Sequence, residues 1–321
     1  MTTMTVKPYN TIKKQKRHAH SMVQKSLYLM ILPAVVLIGI YSYGPLMGWS
    51  IAFQDYNMAK GLFGSKWIGL SHFQFIFALP EFHRALMNSF FIALMKLGVN
   101  IIVPVAVSLM INEVRVSGLK RVIQTTIYLP HFMSWVIIYG IVVEILSPST
   151  GAVNAVITAL GGEPVMFLTS KPIFPFVLVA TDVWKEFGFG TIIYLSTLTS
   201  IDPNLYEAAS IDGAGRFRRM WHITMPGLLS VIALLTTLNL GHILNAGFDQ
   251  VVNLYSPTVY ETGDILDTLV YRLGGFGGGG ISSTPQYDIA TAVGMFQSTV
   301  SFALVSITYY LAYRFADYRI F

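Results

Sequence analysis

Four charged side chains are the residues of this 321-residue chain best set to do chemistry: Lys96, and the cluster Asp182, Lys185 and Glu186, all inside apolar runs. Each costs at least roughly 2.5 kcal/mol at the centre of a bilayer unless it faces water or a partner. They should therefore face a pore or another helix. Lys185 can pair with Asp182 or Glu186, or bind an anion; Lys96 can pair between helices, meet a second subunit or touch a ligand. Trp184, Phe187, Phe189 and Tyr194 offer flat apolar faces for a bound ring, although aromatics in membrane helices more often pack against neighbours. Asn239, His242 and Asn245 add hydrogen-bonding groups. Together these residues are the candidate lining of a translocation pathway.

Other chemistries are excluded. The chain has no cysteine, so disulfides, iron–sulfur clusters and thiol nucleophiles are absent. His242 has no second histidine or carboxylate at ligand spacing, so no metal site is expected. Neither paired carboxylates in a shared pocket nor a Ser/His/Asp arrangement argues for catalysis. The glycine run Gly274–Gly280 is followed by Ile281, Ser282 and Ser283 and has no lysine near it, so it lacks what a phosphate-cradling loop needs. It reads as part of an outer loop, and the chain is expected to hold no cofactor and to be no enzyme.

The elements that position these residues are set by lipid. Hydrophobic residues make up 54% of the chain and charged residues 12%, against roughly 25% charged in an ordinary soluble domain. Six apolar blocks stand out: Leu27–Ser50, Ala85–Ile111, Val122–Val143, Ile173–Ser200, Pro226–Gly247 and Ile289–Tyr313. Each is long enough for a bilayer core about 30 Å thick. The first follows a basic segment but is too long for a cleaved signal, and no small-residue cleavage site follows it, so it is read as an uncleaved span. Most of the 21 lysines and arginines fall in the N-terminal tail, in the loops after blocks two and four, and after block six. Positive residues stay in the cytoplasm, which predicts an all-α protein with six transmembrane helices and both termini cytoplasmic. Residues 1–26 form a cytoplasmic tail and 27–321 one membrane domain. The net charge of +5 marks topology and gives no reason to expect nucleic acid.

The longest cytoplasmic connection, about residues 200–226, encodes its own shape. Asp202 can cap free backbone N–H groups and Pro203 suits a first helical position, so a short helix should run from Pro203 to Ile211. Ala208 and Ala209 leave it a smooth face, Gly213 and Gly215 permit turns, and Pro226 is expected to open the fifth span.

Glu207-Ala208-Ala209, Gly213 and Ile223-Thr224-Met225-Pro226 resemble the EAA loop of binding-protein-dependent ABC importer permeases, with Met225 where leucine is usual. Trp67-Ile68-Gly69-Leu70-Ser71-His72-Phe73, Tyr128-Leu129-Pro130, Asp182-Val183-Trp184-Lys185 and Asp212-Gly213-Ala214 are similar to the branch that imports oligosaccharides and polysaccharide fragments. The resemblance implies a type I ABC importer permease fold in a bacterial cytoplasmic membrane. It implies a heterodimer with a second permease subunit, two copies of a nucleotide-binding ATPase that uses ATP and Mg, and an extracytoplasmic solute-binding protein. Glu207, Ala208, Ala209, Asp212, Gly213, Ala214, Ile223 and Pro226 would then couple to the ATPase, while Trp67, Phe73, Gly274 and Gly277 would meet the binding protein. The cargo would be an oligosaccharide, with an acidic chain as one option given the membrane lysines. The competing readings are an ion-driven secondary transporter or channel, which calls for inverted repeats or relay carboxylates, and a polytopic membrane enzyme, which calls for a catalytic loop at the membrane face. Beyond the Asp182 and Glu186 cluster, neither requirement is met.

Overall fold

The computed structural model describes residues 27–240, 243–276 and 284–315. The tail 1–26, His242 and Gly277 lie outside the described residues.

Helix α1 (Leu27–Phe53) is apolar throughout, and none of its apolar window is buried within the chain. Its winding widens at Gly39–Tyr43 and tightens over Gly44–Phe53, around Pro45, whose ring and missing N–H do not fit an ordinary helical turn. Strands β1 (Gln54–Asp55) and β2 (Lys66–Trp67) then form a small antiparallel hairpin with Gln54 opposite Trp67. Helix α2 (Pro80–Asn112) starts on a proline, where the absent donor is harmless, and runs for 33 residues.

The third apolar block is not a straight span. Helix α3 (Ser117–Tyr128) passes into a tight turn at Leu129–Phe132, and α4 (Trp135–Leu146) leaves at 106° to it. Met133 and Ser134 are extended, and the Ser134 hydroxyl accepts a bond from Ile137 N at 3.4 Å, capping α4. With Pro130 unable to donate and a serine able to restart the helix, the break costs little.

Helix α5 (Phe174–Ser200) packs along α2 as the most extensive helix pair. A Cβ at Gly188 would stand 1.9 Å from Ile127 O, so α5 crosses the end of α3 backbone to backbone. Helix α6 (Pro203–Ile211) follows, as the capping signals require. Helix α7 (Arg216–Leu240) corrects a second expectation, because the helix begins at Arg216 and Pro226 sits inside it. A wide turn at Met220–Thr224, closed by Met225 N on Met220 O, precedes the proline. Widening the winding there relieves the clash that a proline ring makes with the preceding turn.

Helix α7 is described as far as Leu240, Ile243 and Leu244 form a turn before the expected end at Gly247, and Gly247 takes φ +93 to launch α8 (Phe248–Leu254). The segment expected as an open outer loop is largely helical: α8, then α9 (Leu266–Leu273), before α10 (Tyr287–Phe315). Among the described residues four helices, α1, α2, α7 and α10, are long and apolar enough to cross a membrane, and the bent α3–α4 pair makes a fifth when counted as one broken span. Helix α5 is as long, but it carries Asp182, Lys185 and Glu186.

Three apolar clusters hold the assembly. One gathers Ile92, Ile138, Phe174, Leu178, Val251 and Ile265; a second joins Phe82, Ala85, Leu269 and Val293; a third places Val105, Tyr194, Leu198 and Leu228 together. The first two fasten the α8–α9 cap onto α2, α5 and α10, and the third joins α2, α5 and α7.

Candidate functional site

The connection between α5 and α7 is locally determined. Asp202 Oδ1 accepts from Asn204 N at 2.9 Å, and Pro203 opens α6. The helix closes through Asp212 N on Ala208 O at 3.0 Å, Gly213 N on Ser210 O at 3.1 Å and Ala214 N on Ala209 O at 2.8 Å. Gly213 sits at φ +76, a left-handed conformation that side chains disfavour. Gly215 at φ −66 needs no such freedom, so only one of the two glycines makes the turn. The Tyr206 hydroxyl and Thr224 Oγ1 lie 3.0 Å apart, bracing α6 against α7 at its wide turn. Glu207, Ala208, Asp212, Gly213 and Pro226 are exposed, whereas Ala209, Ala214 and Ile223 are half-buried. The sequence reading missed Ile211 and Phe217, which are 87% and 83% exposed beside this turn. The signal was available: Ile211 stands beside Asp212 and Phe217 between Arg216 and Arg218, apolar side chains among charged ones.

The charged residues within the membrane come together at one wall. Lys96 Nζ donates to Ala246 O at 2.7 Å and to Gln250 Oε1, and stands 3.1 Å from Asp182 Oδ1. Asp182 Oδ2 accepts from Asn100 Nδ2 at 2.8 Å. Gln250 Nε2 donates to Leu178 O and to Thr181 Oγ1, each at 2.7 Å. Lys185 Nζ donates to His131 O at 2.7 Å and lies 3.2 Å from Glu186 Oε1. Glu186 Oε2 is 2.8 Å from His131 Nδ1, and the His131 ring stacks on Phe189 at 4.4 Å. Of the two partners open to Lys185, Glu186 is the one taken, while Asp182 goes to Lys96.

A cavity of about 420 Å³ opens on this wall, lined by Lys96, Asn100, Asp182, Glu186, Phe189 and Asn239, with Asn245 at its edge. Lys96, Asp182, Glu186 and Asn239 are thus brought together as expected. Lys185 is buried behind Glu186. Trp184 lines a separate apolar cavity with Ile141, Phe167 and Phe176, Phe187 is half-buried and not among the lining residues, and Tyr194 belongs to the core at 2% exposure. Asn100, His131 and Gln250 were missed. Asn100 stands one helical turn after Lys96, a legible pattern, while His131 and Gln250 arrive from distant segments.

The segment from α8 to α9 is braced by polar contacts. Leu266 N donates to Ser89 Oγ at 2.9 Å, and Asn88 Nδ2 donates to the carbonyls of Glu261 and Asp264, both at 3.1 Å. Asp264 forms a buried ion pair with Arg272, whose guanidinium lies 4.3 Å over the Tyr260 ring. Burial pushes the Asp264 carboxyl above its ordinary value, against the pull of Arg272. Lys171 reaches Glu261 at 2.5 Å and holds that exposed carboxyl below its ordinary value. Trp67 is 61% exposed and stacked on Phe53 at 5.5 Å, Phe73 is half-buried against the same ring, and Gly274 ends α9 beside the exposed Phe276.

Comparison with known proteins bears on both sites. The pattern of the binding-protein-dependent transport system inner membrane component family matches residues 100–321. The polygalacturonan/rhamnogalacturonan transport system permease protein YteP of Bacillus subtilis (strain 168) is 41% identical over 309 residues, covering 96% of this chain and 94% of YteP. The lactose transport system permease protein LacF of Rhizobium radiobacter is 30% identical over 235 residues, 72% of this chain and 76% of LacF. The crystal structure of a bacterial ABC transporter involved in the import of the acidic polysaccharide alginate contains a chain that is 38% identical. It superposes with a TM-score of 0.83, over 94% of this chain and 99% of that one. A bacterial alginate ABC transporter in complex with an alginate pentasaccharide-bound periplasmic protein matches at 39% identity and a TM-score of 0.81, over 91% of this chain and 96% of that one. With its exposed α6 turn and the Asn100, Asp182, Glu186 and Asn239 part of the cavity wall inside the matched region, the chain belongs to the family of binding-protein-dependent transport system inner membrane components, the permeases of ABC importers.

Proposed function

We propose that this permease forms one half of a heterodimeric pore importing oligosaccharide fragments of an acidic polysaccharide, in line with the polygalacturonan/rhamnogalacturonan named for YteP and the acidic polysaccharide alginate named for the solved importer. Six crossings carry it: α1, α2, the bent α3–α4 pair, α5, α7 and α10, with both termini and residues 1–26 in the cytoplasm and residues 27–321 as one membrane domain. The α6 turn, with Glu207, Ala208, Ala209, Asp212, Gly213, Ala214, Ile223 and Pro226, transmits force from an ATPase that binds ATP and Mg. The chain itself holds neither. A solute-binding protein delivers cargo to the α8–α9 cap and the Trp67 hairpin, with Phe73 and the glycine run containing Gly274 and Gly277 shaping that surface.

One observation carries this reading. Helix α7 is continuous from Arg216, beside the exposed turn, to Leu235 and Asn239 on the cavity wall. Its 25 residues make a shaft of about 37 Å. Movement imposed on α6, braced to the shaft through Tyr206 and Thr224, reaches the cavity without crossing a loop. The ion-driven alternative finds no such support, since the carboxylates of α5 are engaged with Lys96, Asn100, Lys185 and His131.

The test is uptake by vesicles containing the complete transporter. Glu207→Lys, which reverses the exposed charge, and Gly213→Pro, which cannot adopt φ +76, should each abolish ATP-dependent uptake while the two permeases still assemble. Normal uptake by both variants would remove α6 from the coupling path.

A further inference from the structure

We propose that the cavity wall built by this chain reads the hydroxyls and apolar face of a sugar and not its carboxylates, with Glu186 setting that bias. The anionic groups of an acidic chain then fall to cations of the second permease. This rests on the saccharide reading above and fixes how the two subunits divide the work.

Lysines in a membrane suggest an anion site, but here they are spent. An ammonium has three donors. Lys96 directs them at Ala246 O, Gln250 Oε1 and Asp182 Oδ1. Lys185 directs two at His131 O and Glu186 Oε1, and its remaining side lies 5.7 Å over the Trp135 ring. Both side chains are 9% exposed, while the Glu186 side chain is 36% exposed. Anything entering the cavity meets a carboxylate before it meets an ammonium.

The charge count agrees. Lys96, Asp182 and Glu186 are the charged residues among those lining the cavity, and Lys185 behind them makes the cluster neutral. His131 is not among the lining residues, and its Nδ1 faces Glu186 Oε2 at 2.8 Å. What remains free suits an uncharged surface. Phe189 is 45% exposed and backed by the stacked His131 ring, a flat face for a sugar ring, and Asn239 and Asn245 supply amides.

The test uses the complete transporter in nanodiscs, with tetragalacturonate and its fully methyl-esterified form as probes of equal length. Glu186→Gln keeps the shape and one amide oxygen to accept from Lys185, while removing the charge. It should raise the acid-to-ester affinity ratio by about fivefold, the scale of one partly screened charge at close range. Asn239→Lys, at an exposed position on the same wall, adds an uncommitted ammonium and should move the ratio the same way. A ratio unmoved in both variants overturns the assignment. So does a fall in the ratio with Glu186→Gln, which would make Glu186 part of an anion clamp. Wild-type transporter that binds neither probe would refute the saccharide reading itself, and the division of work with it.

Discussion

Replacing Lys96 by methionine tests how the cavity wall is held. Lys96 ties three segments together: Asp182 on α5, Ala246 in the link after α7, and Gln250 on α8. Methionine fills similar space but leaves the Asp182 carboxylate, 14% exposed, with Asn100 alone, and strips a donor from both Ala246 O and Gln250 Oε1. Breaking one side of a buried ion pair costs about 3–5 kcal/mol, because the other charge stays buried without its counterpart. At about 2–4 °C per kcal/mol for a domain of 150–250 residues, the apparent melting temperature of the purified complex should fall by roughly 10 °C. Lys96→Met with Asp182→Asn removes both charges, and should regain about half of that loss, since two neutral groups carry a smaller penalty than one stranded ion. The assay is thermal unfolding of wild type, both single variants and the double variant under one set of conditions. A double variant no more stable than Lys96→Met alone would refute the view that this pair holds the wall.

Two further outcomes follow from the packing and the α8–α9 cap. Gly188→Ala should sharply reduce assembled permease in membranes, because its Cβ would fall 1.9 Å from Ile127 O and the backbones of α3 and α5 would have to part; wild-type yield would show that the two helices are not so closely seated. The Lys171–Glu261 bond should persist at pH 6 and be lost as pH falls through the lowered pKa of Glu261, beneath its ordinary 4.5. The depressed value means stability that is present above the unfolded pKa and disappears in acid. Amide protection at residues 257–264, corrected for the intrinsic pH dependence of exchange, should therefore fall in acid for wild type, and Lys171→Met should show the lower protection already at pH 6.

What the sequence made legible was local. Asp202, Pro203 and Gly213 fix the start and end of α6 through bonds spanning five residues or fewer, and the structure has those bonds where capping chemistry requires them. The break at Met133–Ser134 was hidden because apolar residues continue on both sides, and hydropathy does not distinguish a bent pair from a straight span. Pro226 misled for a related reason: a proline signals a helix start only when the preceding turn cannot widen, and here it widens. The partners of Lys96 lie 150 and 154 residues away, so no spacing rule could nominate Ala246 or Gln250. That Lys96 needed a partner was plain from its place in an apolar helix. Which partner it has is a property of the packing.

The wide turn at Met220–Thr224 also sets a phase. One residue more per turn than an α-helix would use shifts everything beyond it by about 100° around the helix axis. The face of α7 that carries Leu235 and Asn239 to the cavity is thereby indexed against the face that meets α6 through Thr224. Were that turn to relax to ordinary winding, the upper half of the helix would rotate relative to the lower half with no hinge in between. A push delivered at α6 can thus arrive at the cavity as a twist.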